Sequence, residues 1–363
     1  MDLFGEDPAP VKEEKIKTVD MTDAEPEEGE QARDVKVCFG HDAVETKLNE
    51  LMTSERPPHG LIFSGPKGIG KSTMAYQLTR FLFTQSTSLP EDIVARRVAS
   101  GAHPDLLSIE RSIDPVKGKQ KASVDVAEIR KVTPFLRRTA SEGGWRIVII
   151  DDADTMNRNA QNALLKILEE PPEKTLLVLI AHRAGALIPT IRSRCRVVPF
   201  QPLGDDVMTR LLQTYDLSPY ETDMLIALAG GSFGKALEYI EEDALETLKR
   251  ILGLIESYPV WDWPQIHVLA DELSRPGQER AFQAYQNLMQ FIWSQLVLTK
   301  ARGQNTGEAP LNTEVFAALL QNSSLETLSK ICENLQEHFE TVQRANLDKR
   351  QGVLGAFSLM KAA

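Results

Sequence analysis

The stretch "GLIFSGPKGIGKST", residues 60–73, decides how this chain is read. Leu61-Ile62-Phe63 is a short apolar run of strand character. A glycine-rich turn follows, and Lys71, Ser72 and Thr73 open a helical pattern. Gly65, Gly70, Lys71 and Ser72 match G-x-x-x-x-G-K-[ST], in the strand–loop–helix context that gives the motif its meaning. Glycines let the backbone wrap closely round phosphate oxygens, and the free N–H groups of a helix N-terminus favour negative charge. The expectation is that Gly65, Pro66, Lys67, Gly68, Ile69, Gly70, Lys71, Ser72 and Thr73 cradle the phosphates of ATP. Lys71 would reach the β/γ-phosphates and Ser72 would ligate Mg²⁺.

About eighty residues downstream stands "RIVIIDDAD", residues 146–154. A buried-strand pattern ending in a carboxylate supplies the second metal-side group of such proteins, so Asp151 is expected to share Mg²⁺ with Ser72. Many nucleotide hydrolases follow that Asp with a Glu that polarises the attacking water. Here the next residue is Asp152, one methylene shorter. A setback near 1 Å can cost about 10²-fold in rate. Asp152 therefore reads as a weakened water-positioning group, and the chain as one that binds ATP with little hydrolysis.

Strand-like runs "GLIFSG", "RIVIID", "TLLVLIA" and "RCRVVPF" alternate with helical patterns over residues 35–202, which predicts a parallel sheet with helices on both faces. Residues 203–258 show no strand; Gly230-Gly231 should end one helix and Ser232 cap the next. Residues 259–363 also read as all helical. Leu325, Leu328, Cys332, Leu335, Phe339 and Val342 form one apolar face, with Ser323 and Glu326 as a capping box. Phe282, Tyr285, Phe291 and Trp293 have helical spacing and belong to a core or a subunit contact. The fold class is thus an α/β nucleotide-binding domain, a small helical lid and an all-α C-terminal domain.

Of 363 residues, 42% are hydrophobic and 26% charged, with a net charge of −11. Residues 1–34 hold 12 acidic and 4 basic side chains, net −8, which leaves −11 − (−8) = −3 for the rest. That first segment reads as a disordered acidic tail. Its Leu3-Phe4 pair is only a faint peptide-docking signal. No apolar run is long enough to span a membrane, which points to the cytoplasm. Cys38, Cys195 and Cys332 are too scattered for a disulfide framework or a zinc site.

The stretches "NALLKILEEPPEKTLLVLIAH" (162–182), "IPTIRSRCRVVPFQPL" (188–203), "HGLIFSGPKGIGKST" and "AHPDLLSIE" (102–110) resemble the clamp-loader branch of the AAA+ ATPases, the bacterial DNA polymerase III subunits above all. The resemblance covers about residues 36–240 in motif detail. It implies a hetero-pentameric ring with gamma/tau-type and delta subunits, held by the helical collar of residues 259–363. Sliding clamp and polymerase core would be indirect partners, and primer-template DNA a further one. It also implies that the Ser193-Arg194-Cys195 arginine acts in trans on a neighbour's γ-phosphate, and that Lys166 lies where DNA passes. Arg194 paired to a carboxylate of its own chain is the alternative.

The departures look like the delta-prime branch. Asp152 replaces the motor's Glu, Ala181-His182 replaces a small hydroxyl residue after its strand, and Gly234 stands where the motor has an arginine, with Lys235 beside it. The zinc module of many relatives is missing, since residues 84–104 hold no cysteine. His103 beside Pro104 is then a loop residue, and Ile93, Val94 and Val98 are left to pack that segment. A motor ATPase of the same ring is the runner-up, and a standalone P-loop kinase a distant third. The loop "RSIDPVKGKQK" (111–121) reads as solvated surface.

Overall fold

The computed structural model describes residues 31–113, 121–141, 144–258, 260–303, 311 and 314–361. Most of the acidic segment, the Leu3-Phe4 pair and the centre of the 111–121 loop lie outside the described residues.

The N-terminal half runs α1 (Asp42–Thr53), β1 (Gly60–Ser64), α2 (Lys71–Ser86), α3 (Glu91–Ala99), β2 (Leu106–Ile109), α4 (Val126–Ile129), α5 (Val132–Leu136), β3 (Arg146–Ile150), α6 (Arg158–Glu169), β4 (Thr175–Ala181), α7 (Pro189–Arg192) and β5 (Arg196–Pro199). The five strands form one sheet in the order β2-β3-β4-β1-β5, every pair parallel. β4 is buried along its whole length, which explains its uninterrupted "TLLVLIA". One apolar cluster, with Phe63, Met74, Leu82 and Val178, lies on one sheet face; a second, with Ile62, Val148, Leu164 and Leu179, lies on the other. This is the parallel α/β arrangement that the alternating pattern predicts. β2 escaped the strand reading because it is four residues long and pairs on one side only.

Register places the site. Ser64 pairs with Ala181 and with Pro199, and Ile150 with Leu179, so the C-terminal ends of β1, β3, β4 and β5 share one edge. Ligands of open α/β sheets sit at that edge. Both the phosphate loop and Asp151 follow strands that end there.

The rest is helical: α8 (Asp205–Leu212), α9 (Pro219–Ala229), α10 (Phe233–Glu241), α11 (Ala244–Ile255), α12 (Trp263–Leu273), α13 (Glu279–Arg302), α14 (Glu314–Asn322), α15 (Leu325–Arg344) and α16 (Lys349–Lys361). Ser218 and Glu221 form a reciprocal capping box on α9, with Pro219 at the first helical position. Gly230, at φ 57°, ends α9, and Ser232 caps α10 by accepting from the Lys235 N–H. One continuous buried apolar cluster runs from Leu203 to Met360, so the lid and the C-terminal helices share a core. Phe282, Tyr285 and Trp293 lie in it, with Phe291 half-buried against it.

Two expectations need correction. The cap of α15 is Ser324, which accepts from the Thr327 N–H, whereas the Ser323 N–H bonds Leu319 and closes α14. The apolar face of α15 is rotated accordingly: Ile331 is buried, Cys332 half-buried and Leu325 42% exposed. Around the missing zinc module, Val94 and Val98 are fully buried and Ile93 half-buried. His103 is buried too, stacked on Phe83 with centroids 3.8 Å apart, while its Nδ1 accepts from the Asp105 N–H.

The start of α10 touches the loop between β1 and α2 directly. The Gly234 N–H donates to the Gly68 carbonyl at 2.9 Å, and the Ser232 hydroxyl to the Lys67 carbonyl at 2.8 Å. A Cβ on Gly234 would stand 2.9 Å from the Gly68 Cα, which is backbone that has nowhere to move. Gly234 is thus a close-packing position as well as a missing arginine. Gly234→Ala is expected to destabilise the chain by about 1–3 kcal/mol, the range for forced overpacking. Urea unfolding measures it; stability equal to wild type would show that the contact is loose.

Candidate nucleotide site

The loop between β1 and α2 has every carbonyl from residue 65 to 70 accounted for. Gly65 and Pro66 accept from the Lys71 ammonium. Lys67 and Gly68 accept from the lid. Ile69 faces His41 Nε2 at 2.6 Å, and Gly70 accepts from the Cys38 thiol at 3.3 Å. Buried backbone groups need such partners. Because a peptide plane carries the C=O of one residue and the N–H of the next in opposite directions, carbonyls of 67–70 that face protein donors leave the N–H groups of 68–71 facing away from those donors. Gly68 (φ 74°) and Gly70 (φ 99°) lie in the left-handed region, where a side chain would be strained; a Cβ on Gly68 would also meet the Ser232 oxygen at 2.5 Å. The glycines of the motif are therefore required by the loop's own shape.

Lys71 is 3% exposed. Its ammonium donates to Gly65 O at 2.8 Å and to Pro66 O, and His182 Nδ1 lies 3.4 Å away. Burial drags its pKa down to about 8, against the pull of Asp151, Asp154 and Asp152. The Ser72 hydroxyl donates to Asp151 Oδ2 at 2.8 Å, and Asp151 Oδ1 accepts from the Asp152 N–H at 2.8 Å. Burial raises the Asp151 carboxyl above its usual range, and those two hydrogen bonds hold it back. A hydroxyl and a buried carboxylate side by side are hard oxygen donors that fit Mg²⁺. A cation there would relieve the cost of burying the Asp151 charge.

Asp152 sits in the left-handed region, at φ 49°. Its Oδ1 lies 2.7 Å from His182 Nε2, and its Oδ2 accepts from Arg111 Nε at 2.5 Å. The His182 hydrogen bond first, and the Arg111 charge next, hold its carboxyl below the usual range despite partial burial. Asp152 is thus engaged on both oxygens. Arg111 was not foreseen as a site residue, and His182 was read only as standing where a small hydroxyl residue is expected. Each follows a strand that ends at the ligand edge, β2 and β4, and that placement is the signal that could have found them. His41 and Cys38 carried no signal, since they reach the loop from the segment before α1.

Arg194 is elsewhere. It precedes Arg196, which pairs with Leu61, so it lies at the N-terminal edge of the sheet. At about 3.3 Å per strand residue, that is on the order of 15–20 Å from the phosphate loop of its own chain. Its guanidinium donates to Thr190 O at 2.9 Å and pairs with Glu169 at 2.9 Å; both partners of that pair are substantially exposed. Such a surface pair is worth about 0–1 kcal/mol and breaks readily. Cys195, 8% exposed, packs against Gly60, where a Cβ would meet its sulfur at 2.8 Å. Burial pushes its thiol up to about 12, so it is a packing residue. Lys166 stands exposed on the last turn of α6. Among the described residues no three His, Cys, Asp or Glu side chains converge as a metal cluster, and no helix is long and apolar enough to cross a membrane.

A family model described as DNA polymerase III, delta subunit matches residues 40–204. The chain is 33% identical over 208 residues to the DNA polymerase III subunit delta′ of Pseudomonas aeruginosa, covering 53% of this chain and 61% of that protein. For the same subunit of Bacillus subtilis the values are 32% over 213 residues, 58% and 62%. For that of Escherichia coli they are 33% over 225, 60% and 65%. Residues 40–204 are thus similar to clamp-loader subunits of the DNA polymerase III delta and delta′ kinds. The match spans somewhat under two thirds of the length of these curated relatives.

The two neighbouring carboxylates should respond oppositely to pH. Asp152 is depressed, so its contribution to stability is present above its unfolded pKa and lost as pH falls through the folded one. Asp152→Asn should therefore cost about 1.5–3 kcal/mol near neutrality, the range for hydrogen bonds to a charged group, and much less in acid. Asp151 is raised, so its contribution is present in acid and lost as pH rises through the folded value. Asp151→Asn should stabilise the ligand-free chain near neutrality. Denaturation of both variants across about pH 3–8 checks this; the same sign for both at neutral pH would contradict the charge assignment.

Proposed function

We propose that the chain is a subunit of a DNA polymerase III clamp loader that binds ATP with Mg²⁺, hydrolyses it poorly, and lends Arg194 to a nucleotide held by a neighbouring subunit. The observation that carries this reading is the division of the site. The Ser72–Asp151 metal pair and the phosphate loop are formed, while Asp152 is taken up by Arg111 and His182. The chain keeps the binding half of the chemistry and has its water-positioning group occupied.

In the bound state the N–H groups of residues 67–72 would meet the phosphates, Lys71 would balance their charge, and Ser72 with Asp151 would hold the metal. Asp152 would polarise a water only after giving up two charge-assisted hydrogen bonds, which are about twice as strong as neutral ones. The family likeness supports partners of the gamma/tau and delta types in a hetero-pentameric ring, with sliding clamp and polymerase core as indirect partners. Primer-template DNA would pass near the exposed Lys166. Residues 259–363 would provide the collar contact, the lid would be residues 203–258, and the site of action would be the cytoplasm.

The position of Arg194 supports action in trans: it is too far along the sheet to serve its own loop, and its exposed pair with Glu169 yields at little cost. The motor reading is disfavoured by Asp152 and by Gly234, which is packed on Gly68 rather than presenting a cation. The test is steady-state phosphate release from the purified chain. Turnover well below about 10 s⁻¹, the ordinary enzyme range, is expected. Turnover at that level, abolished by Lys71→Ala, would revive the motor reading.

A further inference from the structure

The residues round Lys71 form a closed circuit that the family likeness does not describe. An ammonium has three N–H donors and no acceptor. Among the described residues three acceptors lie within hydrogen-bond reach of Lys71: Gly65 O, Pro66 O and His182 Nδ1. On its other side the same imidazole meets Asp152 Oδ1 at 2.7 Å, and Asp152 is held in turn by Arg111 at 2.5 Å. The partners fix the imidazole's state. A carboxylate only accepts, so Nε2 carries the hydrogen; an ammonium only donates, so Nδ1 offers its lone pair. One neutral tautomer satisfies both contacts. The backbone that positions the ring is pinned as well, because Asp154 accepts from the N–H groups of His182 and Arg183 at 3.1 and 3.3 Å.

We propose that His182 is a latch on the nucleotide site: it bridges Lys71 and Asp152, and so competes with the nucleotide's phosphates for the lysine. This rests on the reading that the loop binds nucleotide, and deepens it by naming what limits affinity. A phosphate oxygen that takes Lys71 must replace an acceptor already in place. The imidazole edge facing that space is a lone pair, which repels an oxyanion, whereas a hydroxyl there would donate to it. Repulsion grows with the reach of the polyphosphate toward β4, so the latch opposes a triphosphate more than a diphosphate. His182 acts through Lys71 and Asp152 and is a positioning residue.

The consequence is opposite in sign to a contact that helps bind nucleotide. Removing His182 should tighten binding. In the full-length chain with MgATP and MgADP as probes, measured by titration calorimetry, His182→Ala should raise ATP affinity about three- to tenfold, the weight of one modest hydrogen bond. ADP affinity should rise less. His182→Gln, whose amide can donate to Asp152 and accept from Lys71, should keep the wild-type affinity and ATP-to-ADP ratio. A general loosening of the fold would not produce tighter binding, nor its rescue by glutamine. Thermal unfolding of each variant confirms that the compared chains are folded. Equal or weaker ATP binding by folded His182→Ala overturns the latch alone. If wild type and His182→Ala both fail to bind either nucleotide, the nucleotide reading falls and the latch with it. If His182→Ala is unfolded, Asp152→Asn serves in its place: it weakens the hold on the ring and should also raise ATP affinity, and no rise there overturns the proposal.

Discussion

Lys71 has to keep its positive charge in a place where water cannot reach it, and its neighbours are arranged around that need. Its ammonium lies under the phosphate loop on the carbonyls of Gly65 and Pro66, and burial brings its pKa down to about 8. Three carboxylates, Asp151, Asp154 and Asp152, offset that burial from the ends of the neighbouring strand and turn. Those acids in turn need partners: Ser72 for Asp151, and Arg111 with His182 for Asp152. An incoming phosphate would enter a charge network that is already balanced.

The same loop ties the domains together. The carbonyls of Lys67 and Gly68 are capped by Ser232 and Gly234 of the lid, and those of Ile69 and Gly70 by His41 and Cys38 from the segment before α1. The lid continues into the C-terminal helices through one apolar cluster. The loop between β1 and α2 is thus in contact with α10, and α10 with the helices that pack behind it. Such coupling is the physical means by which an occupied site in this chain could alter a subunit contact without hydrolysis.

Much of this was legible in the residues. The parallel sheet followed from apolar runs alternating with helical patterns, and the closeness of Ser72 and Asp151 from "GKS" and the acid after "IVII", because strand ends and a glycine loop leave local traces. Gly230 and Ser232 were readable for the same reason. What escaped was non-local. Nothing in the spacing says that Arg111, after a four-residue edge strand, reaches Asp152, or that His182 bridges Asp152 and Lys71 across three elements. Gly234 was read as an absent cation, while its contact with Gly68 depends on a lid orientation that no local pattern encodes. Ser323 and Ser324 are both plausible caps in sequence, and only the chain's exit from α14 chooses between them.

As proposed, this chain contributes an arginine to a neighbour's site and does not run a site of its own. The most direct measurement is the DNA- and clamp-stimulated ATPase of a reconstituted ring with gamma/tau-type and delta partners, carrying either Arg194→Ala or Lys71→Ala in this chain, with assembly confirmed. The account predicts that Arg194→Ala lowers the stimulated rate, by a share of the roughly 10³- to 10⁵-fold that such an arginine is worth at one site. Lys71→Ala should leave that rate nearly unchanged. A loss with Lys71→Ala and none with Arg194→Ala would contradict it, making Arg194 a local partner of Glu169 and this chain's own loop the working site.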